Sequence, residues 1–560
     1  MMVTMNWVDL APGLQQFRGY QRAWLRGDVL AGLTVAAYLV PQVMAYATLA
    51  GLPPVAGLWA IFVPIVLYAF LGSSRQMSVG PESTTALMTA TVLAPIVMGD
   101  PARYAALAAA LGLLVGLACL LAGLARLGFL ANLLSRPVLI GYMAGIAFIM
   151  IASQLDKITG VAAGGREFVD QIRSFVAAAT EAHWPTVLLS AGVLATLLVL
   201  ARWLPRAPGP LIAVLAATVV VAMLSLQRTG ITVVGDIPSG LVAPGVPPVS
   251  LDDLAVLLIP AGGIAVVAFS DNILTARTFA ARKGQEIDAH AELRALGVCN
   301  IGAGLSQGFP VSSSASRTAL GDVVGSRTQL YSLVMLAVVA VVMLAGRDVL
   351  SLFPNAALGA LVVYAAMRLI DVPEFKRLAR FRRSEFVLAL ATTTAVLAVG
   401  VLYGVLVAVG LSILDLLRRV SHAHDSVLGF VPGIAGMHDI DDYPDATELP
   451  GLLIYRYDAP LCFANAEDFR KRALRAVDAS PDPVEWFVLN AEANVEVDLT
   501  ALDTLDHLRA ELNRHGIVFA MARVKYDLRD ALRAAGLLDR IGENRIYMTL
   551  PTAVNAFKGR

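Results

Sequence analysis

Residues 308–320 of this chain read GFPVSSSASRTAL and residues 78–88 read SVGPESTTALM, each a proline among small polar residues leading into an apolar stretch. In the first, Ser312, Ser313, Ser314 and Ser316 offer O–H donors, Pro310 gives up an N–H that a helix start would not use, and Arg317 carries a charge that cannot be removed. A helix beginning here presents unpaired N–H groups and about half a positive charge, which favours an anion. In the second, Pro81, Glu82 and Ser83 stand at the same kind of helix start. Two such ends facing each other make an anion trap. The serines equally suit helix caps and close packing, and Arg317 could reach the cytoplasmic face along its aliphatic stem. What favours function for Arg317 is the cost of holding a charge within a span.

Two carboxylates accompany these segments. Asp271 lies in VVAFSDNILTARTFA, residues 266–280, after a charge-free apolar run. It is either half of a structural ion pair with Arg317 or Arg277, or a cation or proton site whose neutralisation is coupled to anion movement. Glu82 can cap its helix or take part in coupling; left charged and facing the site, it would repel an anion. The three cysteines, Cys119, Cys299 and Cys462, have no metal or disulfide spacing and read as packing residues.

Such residues need elements that set their depth. Apolar residues make up 57% of the chain and charged ones 15%, against roughly half and about a quarter in soluble domains. The charges are sparse from Val29 to about Leu417 and dense from about His438 onward, so a long lipid-adapted part is joined to a shorter soluble tail. Helices of roughly 20 apolar residues cross a bilayer. Fourteen candidates fall at 29–46, 55–72, 78–97, 104–125, 137–155, 184–204, 208–226, 254–276, 290–306, 311–323, 330–346, 355–370, 384–400 and 402–418. The third and tenth are the broken ones. Taken as seven plus seven, over about 28–226 and 254–418, they occupy the same place in each half, which marks a carrier's binding site near the midplane.

Lys and Arg set the orientation. With the N-terminus inside, the inner loops hold Arg18, Arg22, Arg26, Arg75, Arg126, Arg136, Arg202, Arg206, Arg282, Lys283 and Arg327, the dense run FKRLARFRRSE, residues 375–385, and Arg418 with Arg419. Arg103, Lys157, Arg166, Arg173, Arg228 and Arg347 lie opposite, so both termini are expected in the cytoplasm of a protein in the cell membrane. The opening MMVTMNWVDLAPGLQQF lacks a basic stretch leading into an apolar run, and no cleavable signal is expected. The expected division is a cytoplasmic segment 1–27, a transport domain 28–420, a linker 421–450 and a soluble domain 451–560.

The residues also carry a resemblance. VAAYLVPQVMAYATLAGLPPVAGLWAIFVPIVLYAFLGSSRQMSVGPES, LSRPVLIGYMAGIA and ELRALGVCNIGAGLSQGFPVSSSASRTA resemble the sulfate permease (SulP) family of anion transporters, and the likeness extends along essentially the whole chain. It implies a multi-pass α-helical membrane protein of fourteen spans, built as seven-plus-seven inverted repeats that form a core and a gate domain. It also implies an anion held between the starts of spans three and ten. The matching positions are Gln42 and Tyr46 on span one, Pro81, Glu82 and Ser83 on span three, and Ser314, Ser316 and Arg317 on span ten; Ser313 joins them from the hydroxyl cluster. Asp271 matches the place where plant sulfate carriers of the family have a proton-linked glutamate and sodium-coupled bicarbonate carriers an aspartate. Thr275, one turn on, matches a residue of that sodium site. The threonine that completes it on span ten is Ala315 here, which removes an oxygen from a cation that wants several.

The tail resembles the cytoplasmic sulfate-transporter and anti-sigma-factor-antagonist (STAS) domain. GLLIYR, WFVLNA and IVFAMA read as buried strands between the helical patterns AEDFRKRALRAV, TALDTLDHLRAELNRH and LRDALRAAGL, an α/β unit. Where the antagonists have a phosphorylated serine, EVDLTALDTL has Leu499, with Thr500 next, read as a cap or packing residue.

Three function classes follow. The first is a secondary carrier, with proton-coupled sulfate uptake by alternating access expected and Asp271 as the proton site. The second is sodium-coupled or exchange transport of bicarbonate or a dicarboxylate, or a passive anion channel. The third, a regulatory protein merely anchored by its spans, is disfavoured because paired broken spans are needlessly elaborate for an anchor. An enzyme is disfavoured because no phosphate-cradling glycine loop, metal cluster or nucleophile–base pairing is present. Besides a small inorganic anion, the partners expected are membrane lipid, a second copy of the chain and a cytoplasmic protein on the tail, with no nucleic acid, metal or cofactor.

Overall fold

A computed structural model describes residues 11–559 of the 560, apart from 98, 129–134, 162–167, 205–206, 238–243, 282 and 422. Arg166, Arg206 and Arg282 therefore lie outside the described residues. The chain forms two units, residues 1–412 and 413–560.

In the first unit, α1 (Leu25–Leu49) and α2 (Pro54–Leu71) lead to a short strand β1 (Val79–Gly80) and α3 (Ser83–Leu93). Next come α4 (Pro101–Leu124), α5 (Arg136–Ala152), α6 (Trp184–Trp203) and α7 (Gly209–Met223). The second half repeats the plan with α8 (Leu251–Ala281), α9 (Ala289–Leu305), β2 (Ser312–Ser313), α10 (Ala315–Val324), α11 (Leu330–Ala345) and α12 (Asn355–Leu369). It closes with α13 (Val372–Phe381) and α14 (Arg383–Ser421). Twelve of the fourteen candidate spans fall on helices, while the third and tenth begin on β1 and β2 and run into the short α3 and α10; the last two are the halves of α14, parted at Gly400, whose φ of 79° suits a residue without a Cβ.

Among the described residues, seven helices are long and apolar enough to cross a membrane, and α5, α7 and α11 are shorter apolar rods. Leu121, Leu188, Ile259 and Leu344 are more than half exposed on the outside, a surface that lipid suits and water does not. α1–α4 pack with α8–α11, and α5–α7 with α12 and the first half of α14, the division into core and gate that the resemblance implies. Glycine makes the tightest approaches. A Cβ on Gly116 of α4 would stand 2.6 Å from the Gly297 carbonyl oxygen of α9, so the two backbones touch as small residues allow between membrane helices.

Two buried carboxylates clamp the ends of the broken segments. Glu292 of α9, fully buried, accepts from the Tyr68 hydroxyl, the Ser73 N–H (2.8 Å) and hydroxyl (2.7 Å), the Ser74 N–H (3.2 Å) and the Asn272 amide (2.9 Å). That fixes the loop into β1. Asp28 of α1, equally buried, accepts from the Arg327 N–H (2.6 Å), the Thr328 N–H and the Thr328 hydroxyl (2.7 Å), which fixes the loop out of α10. Each is satisfied by hydrogen bonds rather than by a cation.

The run FKRLARFRRSE, read as a loop, lies largely in the amphipathic α13. Asp371 caps it by accepting from the Glu374 N–H at 3.1 Å, and Val372, Phe375, Leu378 and Phe381 recur every third residue.

The second unit is a six-stranded sheet in the order β4-β3-β5-β6-β7-β8. The three expected strands are β5 (Leu452–Tyr457), β6 (Trp486–Asn490) and β7 (Val518–Ala522), parallel to one another. β8 (Ile546–Tyr547) extends them, and α15 (Ala466–Asp478), α16 (Leu499–Arg514), α17 (Tyr526–Ala534), α18 (Leu537–Ile541) and α19 (Leu550–Lys558) complete the unit. The stretch 421–450, expected as a linker, instead supplies β3 (Asp425–Phe430), antiparallel to β5, and the three-residue edge strand β4 (Met437–Asp439), antiparallel to β3. α16 is capped by Asp498, which accepts from the Ala501 N–H at 2.8 Å; Thr500 is exposed on its first turn and neither caps nor packs.

Candidate anion site

The two broken segments meet as strands. β1 and β2 pair antiparallel, Val79 opposite Ser313 and Gly80 opposite Ser312, and the Ser314 N–H donates to the Ser78 carbonyl at 2.9 Å. Each extended stretch thus satisfies backbone groups of the other, the condition for irregular backbone inside a bundle. α3 and α10 run away from this crossing for 11 and 10 residues, about 15 Å each and half a hydrocarbon core. The antiparallel meeting is what inverted halves require.

Arg317 is fully buried against the crossing. Its Nε donates to Ser78 Oγ at 3.2 Å and its Nη1 to Gln42 Oε1 (3.2 Å) and the Pro81 carbonyl (3.0 Å). Its Nη2 is buried without a protein acceptor. A Cβ on Gly80 would come within 3.3 Å of that atom, so the missing side chain is what lets β1 lie on the guanidinium. Arg317 therefore neither reaches the membrane surface nor pairs with Asp271.

Gln42 passes this orientation on. With Oε1 taken by Arg317, its Nε2 faces Tyr46 Oη (3.0 Å) and Ser316 Oγ (3.4 Å). Ser314 Oγ and Ser316 Oγ are 3.2 Å apart. Ser313 and Ser314 are buried while Ala315 and Ser316 are exposed, so the first turn of α10 is the exposed part of the crossing. Ser314 is its N-cap and makes no side-chain cap bond. The start of α3 differs: Glu82 caps it, accepting from the Thr84 N–H and the Ser83 hydroxyl, both at 2.7 Å.

Asp271 stands beside the crossing on α8, and its Oδ2 accepts from Ser313 Oγ at 3.4 Å. Thr275 is buried one turn on, and no hydrogen bond joins it to Asp271. Two further residues belong here that the sequence reading did not single out. Ser78 receives Arg317, and Thr318 Oγ1 accepts from the Ser78 N–H (3.0 Å) while donating to the Ser314 carbonyl (2.7 Å). Among the described residues no group of three His, Cys, Asp or Glu side chains offers a metal its ligands.

Residues 25–392 match the model of the sulfate permease family, and residues 443–553 that of the STAS domain. The chain belongs to the sulfate permease family. Over all 560 residues of both chains it is 70% identical to a "probable sulfate transporter" of Mycobacterium tuberculosis. It is 30% identical to the chloroplastic sulfate transporter 4.1 of Arabidopsis thaliana, covering 99% of this chain and 83% of that one. In fold it is similar to the murine solute carrier 26 family member A9 anion transporter, with a TM-score of 0.90 at 22% identity over 100% of this chain and 96% of the other. This sulfate permease family member is accordingly a multi-pass membrane transporter with a STAS domain, and not an enzyme.

Proposed function

We propose that the protein is a secondary active carrier that takes up sulfate together with protons by alternating access. The observation that carries this reading is the hydrogen bond from Ser313 to Asp271, because it ties a carboxylate on α8 to the strand that leads into the open start of α10. A charged Asp271 draws the Ser313 hydroxyl toward itself and opposes an incoming dianion. A protonated Asp271 no longer repels the dianion and holds the Ser313 hydroxyl less strongly, so anion and proton enter together and leave together. Gln42, Tyr46, Ser314, Ser316 and the first-turn N–H groups of α10 supply the donors, and Arg317 behind them supplies the positive field. Pro81 holds Arg317 through its carbonyl, and Glu82 and Ser83 form the facing wall. A proton suits the site better than sodium, since Ala315 offers no side-chain oxygen.

Relatives of this chain that are named as sulfate transporters support the choice of substrate. The Lys and Arg asymmetry supports a cell-membrane protein with both termini in the cytoplasm. A STAS domain on that side suits regulation by a second copy or a cytoplasmic protein.

The test is uptake of labelled sulfate into proteoliposomes. An inward proton gradient should drive accumulation, a sodium gradient at equal pH should not, and Asp271→Asn should still bind or exchange sulfate while failing to concentrate it. Accumulation driven by sodium alone, or by the Asn variant, contradicts the assignment; preferential uptake of bicarbonate points to the exchange reading.

A further inference from the structure

α13, the core of the most basic run in the chain, takes no part in the anion site. Leu378 is buried and Phe375 meets Phe386 edge-on at 6.4 Å, so one ridge of the helix seats on the bundle. The residues at its two ends are less covered: Phe381 is 68% exposed and Val372 49%. Beside the helix lies a groove of about 910 Å³ that reaches the start of α5, lined by the apolar Val372, Leu378 and Phe381 and by the basic Arg136, Lys376 and Arg380, with Glu374 and Glu385 also on it. Arg136 and Arg377 share Glu374, at 2.9 and 3.2 Å. Lys376 and Arg380 are exposed and have no carboxylate partner among the described residues. Over Arg136 and residues 371–385, six cations stand against three carboxylates.

α13 joins α12 to α14; the stretch Asn355–Phe381 that it closes, and Arg383–Val401 of α14 after it, are each long and apolar enough to cross a membrane. An amphipathic helix so placed lies where headgroups meet acyl chains. An apolar wall beside a basic rim, of which Lys376 and Arg380 have no carboxylate partner among the described residues, has the two halves of one chemistry, a fatty chain ending in a phosphate.

We propose that this groove is a binding site for an anionic phospholipid, with its acyl chain against Val372, Leu378 and Phe381 and its phosphate between Arg136, Lys376 and Arg380. Free phosphate has no use for the apolar wall. A zwitterionic lipid brings an ammonium group that the rim repels. A seated lipid would brace the connection between α12 and α14, so anionic lipid is expected to support transport through the gate half.

The test is native mass spectrometry of the purified full-length protein, with phosphatidylglycerol and phosphatidylcholine of identical chains. Phosphatidylglycerol should be retained selectively, and millimolar inorganic phosphate should leave it in place. Lys376→Gln with Arg380→Gln should weaken retention at least tenfold, since each basic side chain near an anionic headgroup contributes roughly fivefold. Lys376→Arg with Arg380→Lys should keep it. Phe381→Ser, a change at an exposed position, should weaken it as well and gives a second reading should the double Gln variant fail to fold. Equal retention of the two lipids, displacement by phosphate, or undiminished retention in the folded Gln and Ser variants overturns the proposal.

Discussion

α3 and α10 leave the same two-stranded crossing as helices of nearly equal length, yet their first turns are closed in opposite ways. At α3 the Glu82 carboxylate already sits on the N-terminus and takes up the Thr84 N–H and the Ser83 hydroxyl. At α10 the cap residue makes no such bond, Ser316 is exposed, and a buried guanidinium with one uncommitted nitrogen lies behind. One helix start is capped by its own carboxylate and the other is not, which is the asymmetry the proposed anion site rests on. Two facing helix dipoles need not be two equal halves of a trap; in the proposed site α10 attracts the anion and α3, capped by Glu82, supplies a wall.

The largest effect expected concerns the clamp on the α3 side. Glu292→Ala strips the acceptor from the Tyr68 hydroxyl, two backbone N–H groups and Asn272, each costing about 1–3 kcal/mol when left buried and unpaired. Unfolding in detergent should show a loss of at least about 3 kcal/mol; a loss below about 1 kcal/mol would mean that the loop into β1 is held by something else.

Next in size is the α10 side itself. Arg317→Ala removes the one permanent charge and should weaken sulfate binding about 10- to 100-fold, the equivalent of a charged hydrogen bond of about 1.5–3 kcal/mol. Arg317→Lys should recover only part, because an ammonium cannot reach Ser78, Gln42 and Pro81 together as the planar fork does. Isothermal titration of folded variants measures this, and equal affinity in wild type and Ala variant would remove Arg317 from the account.

How much of this contrast could be read in advance depends on the range of the interaction. Proline, hydroxyls and a charge inside an apolar run are local signals, so both broken spans, Arg317 and Asp271 are visible in the sequence. The partners of Arg317 are not. Ser78 and Gln42 stand more than 230 residues away, and nothing in SVGPES marks Ser78 as an acceptor. Glu292 and Asp28 read as ordinary charges near helix starts, because their burial is created by loops from the other half of the chain. β3 and β4 escaped for a related reason: β3 owes its existence to the Leu452–Tyr457 strand it pairs with, and the three-residue edge strand β4 owes its own to β3.

A smaller effect sharpens the comparison from the α3 side. Glu82→Gln keeps an oxygen for the Thr84 N–H and deletes a negative charge, so sulfate affinity at neutral pH should rise roughly two- to fivefold, a difference of about 1 kcal/mol or less. A fall in affinity would make Glu82 a protonated ligand instead of a cap.

The most direct test is to locate the anion. Selenate, a sulfate analogue with an anomalous scatterer, can be soaked into crystals of the full-length protein grown in a lipid phase. The account expects the selenium peak at the first turn of α10, with oxygens within about 3.2 Å of Ser316 Oγ and the adjoining N–H groups and Glu82 still on Thr84. A peak seated on the Ser83–Thr85 turn, with Glu82 swung away, or a site remote from both helix starts, would contradict it.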